Sequence, residues 1–134
     1  MGLTETDRKE VVEKSLDNAE RIFAEIPILI ENKLYGTAAG RLYYACFHAV
    51  SALLINDGFE AKTHDGLNRL LGQHYVVKGR IDKSSSTAFS QMGSFREMND
   101  YGDWKKIDGD KIKSLIAPAR NLIDTIKRLI SETN

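Results

Sequence analysis

The segment Ala38–Ile55 constrains the fold of this chain most strongly, because it is apolar on nearly every side. Its small residues keep it thin: Ala39, Ala45, Ala49 and Ala52. A helix that is apolar all round has to be surrounded by other elements. We therefore predict a helical bundle with this segment at its centre. The longest mostly apolar stretch, around Leu42–Ile55, is interrupted by His48 and Ser51 and is shorter than the roughly 20 residues that span a bilayer, so we expect no membrane span.

Apolar residues on both sides of this segment recur at three- and four-residue spacing, as in amphipathic helices. A first helix is expected from an N-cap at Thr4 or Thr6, with a kink or break between Phe23 and Pro27, because proline lacks a backbone donor. A corner is expected at Leu34-Tyr35-Gly36, and a helix stop at Asn56-Asp57-Gly58. A third helix is expected from the N-cap Thr63 to Tyr75, and a fourth from N-caps among Ser84–Ser86 to Gly102. The last helix carries an apolar stripe from Ile112 to Ile130 that continues past Pro118.

No segment alternates between apolar and polar residues as a strand would. The predicted fold class is all-α: an up-and-down bundle of four core helices plus a short additional helix. No linker divides the chain, so we expect residues 1–134 to form a single domain.

Charge and cysteine content limit the classes of function. Lys and Arg number 19, as do Asp and Glu, so no global field steers the chain toward nucleic acid or an anionic membrane. Any site for a polyanion must be local. The single Cys46 and the absence of a signal-peptide pattern favour a cytoplasmic protein. Cys46 lies among aromatic residues of the central segment, which favours a buried structural thiol over a nucleophile.

Several classes of enzyme leave motifs that this sequence lacks. It has no glycine-rich phosphate loop, no paired cysteines and no His-Glu-x-x-His helix. The three histidines, His48, His64 and His74, are too far apart in sequence for a local metal site. We therefore expect no metal and no cofactor.

Arg41 is a charged residue on the otherwise apolar central helix, followed closely by Tyr43 and Tyr44. A buried guanidinium needs a carboxylate or a phosphate as its partner. Arg41 therefore either pairs with a carboxylate of another helix, Asp100 or Asp103, or contacts a phosphate or nucleotide.

A second polar cluster closes the fourth helix. Arg96, Asn99 and Asp100 are three and four residues apart and so project from one helix face. Beside Met92 and Phe95, this cluster indicates either an internal ion pair or an interface or groove.

Three motifs in this order resemble the HEPN family (higher eukaryotes and prokaryotes nucleotide-binding). They are Arg-Leu-Tyr-Tyr-Ala-Cys-Phe-His-Ala at 41–49, Lys-Thr-His-Asp-Gly-Leu at 62–67 and Arg-Glu-Met-Asn-Asp-Tyr-Gly at 96–102. The resemblance runs from about Glu10 to Ile130. It implies a bundle of four core helices plus a short one, and a homodimer whose fourth-helix motifs face each other across a cleft. Many relatives are metal-independent RNase toxins, often paired with a minimal nucleotidyltransferase antitoxin.

In the family's nucleases an arginine holds the scissile phosphate, and a histidine a few residues later acts as acid or base at the ribose 2′-hydroxyl. Arg96 matches that arginine, whereas Tyr101 and Gly102 stand where the histidine is expected. The pattern here, Arg-x-x-x-Asp-Tyr, resembles a variant branch. An unperturbed carboxylate is too weak a base and a phenol too weak an acid to replace imidazole at neutral pH. His48 or His64 would supply an imidazole only if the fold brings it near Arg96.

The resemblance therefore predicts a nucleotide- or RNA-binding domain of a toxin–antitoxin or defence-type system, acting with a minimal nucleotidyltransferase partner. The alternatives are a metal-independent RNase toxin that uses Arg96, or a non-catalytic helical dimerisation or adaptor module. The candidate catalytic residues are Arg96 and Asp100. The candidate nucleotide- or RNA-binding residues are Arg41, Tyr44, His48, Asn99 and Tyr101.

Overall fold

A computed structural model describes residues 3–133 as a bundle of helices, without a strand in that range. The helices are α1 (Glu5–Phe23), α2 (Ile26–Glu31), α3 (Tyr35–Asn56), α4 (His64–Leu71), α5 (Lys83–Asp100) and α6 (Gly109–Glu132). The predicted all-α class is confirmed. Four long helices, α1, α3, α5 and α6, build the bundle, and α2 and α4 are shorter.

Helix α3 lies at the centre and packs against α1, α5 and α6. Leu42, Leu53 and Cys46 are fully buried along it. Burying one large aliphatic side chain stabilises a fold by about 1.5–3 kcal/mol, so this helix accounts for much of the core. By length and composition α3 is also apolar enough to cross a membrane, but 61% of its apolar window is buried inside the bundle. It is the core helix of this fold.

The break predicted before Pro27 is confirmed. Helix α1 ends at Phe23, and α2 begins at Ile26 with Pro27 in its first turn. A proline is tolerated there because the first amides of a helix have no partner within the helix. The predicted N-cap Thr4 is also confirmed, since its hydroxyl accepts from the amide of Asp7 at 3.0 Å.

The corner between α2 and α3 lies slightly earlier than predicted. Tyr35 and Gly36 are already helical, and the turn is made by residues 32–34. Lys33 takes a left-handed backbone conformation with φ 58°. The amide of Leu34 then donates to the carbonyl of Leu29 at 2.9 Å, which closes α2.

The prediction that one of Ser84–Ser86 caps α5 is wrong. The helix begins at Lys83, with Asp82 as its N-cap. The Asp82 carbonyl accepts from the amides of Ser85 and Ser86. Ser85 is buried against α6, where its hydroxyl accepts from the side chain of Asn121 at 3.3 Å. Packing against α6 therefore places Ser85 within the helix and not at its N-cap.

Thr63 caps α4 as predicted, since its hydroxyl accepts from the amide of Gly66 at 2.9 Å. The helix is α-helical only to Leu71 and continues as a π-helical turn over Gly72–Val76. The first residue of α4 is therefore His64, held at a fixed position directly after its cap.

The last helix is continuous through Pro118, as predicted. Its apolar stripe is buried on both sides of the proline, at Ile112, Leu115, Ala119, Leu122, Ile123, Ile126, Leu129 and Ile130. Together α3 and α6 form a scaffold on which α5 presents its C-terminal half.

Candidate functional site

Arg96 of α5 lies on a platform of two tyrosine rings from α3. Its guanidinium carbon is 5.1 Å from the centroid of the Tyr43 ring and 5.8 Å from that of Tyr44. The two rings meet edge to face at 5.5 Å. A guanidinium held over aromatic faces gains about 0.5–2 kcal/mol and keeps a defined orientation.

The hydrogen bonds of Arg96 are incomplete. Its Nη1 donates to Asp100 Oδ2 at 3.1 Å and to the Tyr44 hydroxyl at 3.4 Å. Its Nε is buried and finds no acceptor among the described residues. The side chain is 20% exposed. An unsatisfied buried donor costs on the order of 1–3 kcal/mol, and more for a charged group, so this site is not optimised for stability.

Tyr43 connects Arg96 to a histidine that is distant in sequence. The Tyr43 hydroxyl and Nδ1 of His64 form a short hydrogen bond. On its other side the Tyr43 ring stacks on Phe89 at 5.3 Å. Burial raises the pKa of Tyr43 to about 12, although the positive charge of Arg96 opposes that shift. The phenol therefore stays protonated at neutral pH, while the His64 side chain is exposed.

The other candidate residues near the end of α5 differ in their contacts and in their exposure to solvent. Asp100 pairs with Arg96, and its side chain is 53% exposed. Asn99 lies close to Gly36 at the start of α3, where a Cβ would overlap its side-chain oxygen. Tyr101 follows the helix and is 83% exposed. The structure thus brings Arg96, Asp100 and Tyr44 together, with Asn99 and Tyr101 at the margin.

Arg41 does pair with a carboxylate of another helix region, but the predicted partners, Asp100 and Asp103, are wrong. Its Nε and Nη2 donate to the two carboxylate oxygens of Glu25 at 3.1 and 3.0 Å. Glu25 lies at the break before Pro27, and the end of α1 places it beside α3. Asp100 is held by Arg96, and Asp103 lies 3.8 Å from Lys106.

His48 lies on the same face of α3 as Arg41 and Tyr44, four residues after Tyr44 and seven after Arg41. Burial lowers its pKa, and the nearby positive charges of Arg21 and Arg41 lower it further. Of the two histidines considered beside Arg96, His64 is the one in contact with its aromatic platform. Sequence reasoning gave no means of choosing between them.

A cleft of about 340 Å³ opens next to His64. Its lining includes Phe47, Ser51, Phe59, Lys62 and Thr63. Phe47 stacks against the His64 ring at 5.0 Å between centroids. Such a cleft combines flat apolar surface with a cation and hydroxyls, a composition suited to a base and a sugar. Sequence analysis did not single out Phe59, and it included Lys62 only as the first residue of the motif at 62–67, without a role of its own.

Cys46 is buried on α3, where its Sγ lies 3.9 Å from the carbonyl oxygen of Ala119. Burial raises the pKa of this thiol to about 12. Its position agrees with the structural role predicted for it. Across residues 3–133, no group of three or more His, Cys, Asp or Glu side chains converges as metal ligands would.

The sequence of this chain is similar to that of known proteins of one family. Residues 12–129 match the HEPN domain. A UPF0332 protein of Thermotoga maritima is 26% identical over 94% of this chain and 96% of its own length. The protein named "Putative toxin MJ0605" of Methanocaldococcus jannaschii is 31% identical over 98% of this chain and 97% of its own length. A second protein of that organism, "Putative toxin MJ0142", is 21% identical over the whole chain and 91% of its own length. The chain therefore belongs to the HEPN domain family.

Proposed function

We propose that this chain is an RNA-binding HEPN domain of a toxin–antitoxin or defence-type system, and that Arg96 binds a phosphate of the RNA backbone. The observation that carries the proposal is the incomplete hydrogen bonding of Arg96. Its Nη1 is occupied by Asp100 and Tyr44, its buried Nε has no acceptor within residues 3–133, and its Nη2 makes no hydrogen bond to any of those residues. Phosphate oxygens are strong acceptors with the bidentate geometry that arginine favours.

Asp100 and the tyrosines have positioning roles in this proposal. Asp100 holds Nη1 from one side, and the Tyr43 and Tyr44 rings hold the guanidinium plane from below. The arginine is thereby oriented before the phosphate arrives, which lowers the entropic cost of binding. The carboxylate repels an incoming phosphate, so the ligand approaches Arg96 on the side away from Asp100.

Binding partners follow from the same surface. We infer a homodimer formed through α3 and α5, because one face of α3 carries half-buried side chains that no other helix within residues 3–133 covers completely. These side chains are Arg41, Tyr44 and His48. A minimal nucleotidyltransferase is the proposed antitoxin partner, in keeping with relatives named as toxins. The lone buried thiol suits a reducing compartment, and we propose the cytoplasm.

A second function is a non-catalytic interaction module. It is favoured by two exposed aromatic residues directly after α5, Tyr101 at 83% and Trp104 at 56%. Exposed aromatic residues are enriched at the centres of protein interfaces. In this case Arg96 would be satisfied by a carboxylate or carbonyl of the partner protein rather than by RNA.

The deciding experiment measures binding of labelled total RNA and tRNA to the purified protein in EDTA. Arg96→Ala is expected to weaken binding about 10- to 100-fold, the range for losing charged hydrogen bonds of about 1.5–3 kcal/mol. Arg128→Ala is the matched control, because that exposed arginine pairs with Glu132 at the end of α6. Equal RNA affinity of the Arg96 variant and the wild type would support the interaction module instead.

A further inference from the structure

We infer that the cleft beside His64 binds one unpaired base of the RNA strand whose phosphate is held by Arg96, and that Glu60, with Lys62, selects guanine there. This base subsite rests on the proposed binding of RNA at Arg96. It adds to that site a second contact, formed by α3, α4 and the loop between them, and a base that the RNA has to carry.

The cleft is a concave site with aromatic walls. Its volume of about 340 Å³ lies at the lower end of the range for ligand pockets, roughly 300–1,000 Å³, and suits a single base with part of its sugar. Buried Leu54 and Leu67 contribute apolar surface. Half-buried Phe47 and Phe59 line the cleft together with the exposed His64. A base that enters it meets flat aromatic surface, on which any base gains stacking free energy.

The aromatic walls are held in place before a ligand arrives. Phe47 stacks on His64 with 5.0 Å between the ring centroids. Phe59 stacks on His74 at 4.3 Å, and the remaining surface of its ring lines the cleft. Side chains fixed in this way lose little conformational freedom when a ligand binds, so more of the stacking free energy contributes to affinity.

The cleft is continuous with the surface around Arg96. The guanidinium carbon of Arg96 is 5.8 Å from the centroid of the Tyr44 ring, and that ring is 6.3 Å from the ring of Phe47. Tyr44, Phe47 and Ser51 are all half-buried and follow one another at three- and four-residue spacing along α3. Phe47 and Ser51 already belong to the lining of the cleft. A strand that follows this stripe places a phosphate at Arg96 and the base of a neighbouring nucleotide in the cleft.

The cleft lies on a different side of α3 from the proposed dimer contacts. Successive residues of an α-helix are rotated by about 100°. Phe47 and Ser51 therefore lie to one side of Tyr44, and Arg41 and His48 lie to the other. Residues of α4 line the cleft together with Phe47 and Ser51. A homodimer formed around Arg41 and His48 is thus compatible with an open cleft.

Two charged side chains give the cleft a preference among the bases. Glu60 and Lys62 are exposed and line it from the loop between α3 and α4. Guanine has two adjacent N–H donors, at N1 and N2, beside the acceptor O6. A carboxylate accepts from both donors, and an ammonium group donates to O6. On their Watson–Crick edges the other three bases present a single N–H to a carboxylate, so they lose the bidentate contact with Glu60.

The test measures the affinity of the purified protein for labelled 2′-O-methyl oligouridine strands that differ in one central base. The guanine strand is expected to bind about 5- to 100-fold more tightly than the all-uridine strand, the range for one bidentate contact to a base. Inosine lacks the 2-amino group of guanine, so the inosine strand is expected to bind about 10-fold more weakly than the guanine strand. Free guanosine monophosphate is expected to bind more weakly still, because it cannot engage Arg96 and the cleft as linked sites.

Two variants test the aromatic wall and the carboxylate separately. Phe59→Leu keeps an apolar side chain but removes the flat ring, so affinity for the guanine strand is expected to fall about 5- to 30-fold. Its matched control is Phe23→Leu, a half-buried phenylalanine at the end of α1. Glu60→Gln changes an exposed side chain and keeps the fold, and the difference between the guanine and inosine strands is expected to disappear. Its matched control is Glu10→Gln, at an exposed position of α1.

The possible failures are distinguishable. A wild type that binds RNA through Arg96 with equal affinity for all central bases overturns the base subsite and leaves the proposed function in place; the cleft is then available to a partner protein. A preference for another base, or a difference between guanine and inosine that survives in Glu60→Gln, also overturns it. Guanosine monophosphate that binds as tightly as the guanine strand overturns it in favour of a free nucleotide. A wild type that binds no RNA overturns both the proposed function and the base subsite.

Discussion

The stability of this protein is expected to fall steeply between about pH 9 and pH 12, because its core holds protons that the unfolded chain releases. Three buried groups are responsible. Burial raises the pKa of Cys46 from 9.0 to about 12 and that of Tyr43 from 10.0 to about 12. Burial, together with the Asp57 carboxylate to which it donates a hydrogen bond, raises the pKa of Tyr75 well above its ordinary value.

The sign follows from proton linkage. Each group has a higher pKa in the folded state, so its stabilising contribution is complete below the unfolded pKa and is lost as pH rises toward the folded one. Near pH 11 the unfolded chain has released most of these three protons, whereas the folded chain retains nearly all of them. Each retained proton changes the free energy of unfolding by about 1.4 kcal/mol per pH unit. Between two and three protons therefore give a slope of about 3–4 kcal/mol per pH unit.

The assay is urea unfolding at a series of pH values from 8 to 11 under reducing conditions. Cys46→Ala is expected to be less stable near pH 8 but to have a slope smaller by about 1.4 kcal/mol per pH unit near pH 10–11, so the two stabilities converge as pH rises. Tyr101→Phe serves as the control, since that ring is 83% exposed and meets water whether or not the chain is folded. Equal slopes for wild type and Cys46→Ala would refute the reasoning.

Three further outcomes are expected. Tyr75→Phe loses the hydrogen bond to Asp57 and, at neutral pH, about 1.5–3 kcal/mol of stability, measurable by urea unfolding. Gly36→Ala places a Cβ against side chains at the end of α5 and is expected to lower the melting temperature. In the same helix, a Cβ added at Gly40 meets nothing within 4 Å, so Gly40→Ala is expected to stabilise the protein by about 0.5–1 kcal/mol. Arg96→Lys keeps the positive charge but loses the planar guanidinium fork, so the affinity for RNA is expected to fall. Titration of the protein with labelled RNA measures that affinity. Equal melting temperatures for the two glycine variants, or unchanged RNA affinity for the lysine variant, would contradict the respective arguments.

The bundle could be predicted from the sequence because helical periodicity is a local property. The all-round apolar character of α3 required a central position, and the structure places it there. Pro27 predicted the end of α1 through the chemistry of its ring. The start of α5 was mistaken because several residues near position 84 are good N-caps, and only the packing of Ser85 against α6 decides among them.

The site could be predicted only in part, because its contacts join residues that are far apart in the chain. Arg96 and Asp100 are neighbours on one helix turn, so their pairing follows from spacing alone. The partner of Arg41 depends on where the break at Pro27 places Glu25. The contact between Tyr43 and His64 likewise depends on how α4 packs beside α3, which no periodicity encodes.

The buried Nε of Arg96 places folding and activity in opposition at a single position. A leucine or methionine there would keep an apolar contact with the tyrosine rings and remove an unsatisfied buried donor from the interior. Such a variant would be more stable than the wild type and, under the proposed function, would bind its ligand less tightly. Selection for stability alone would therefore erase this arginine, so residue 96 is where a library sorted first for thermostability and then for RNA binding would show the trade-off between the two.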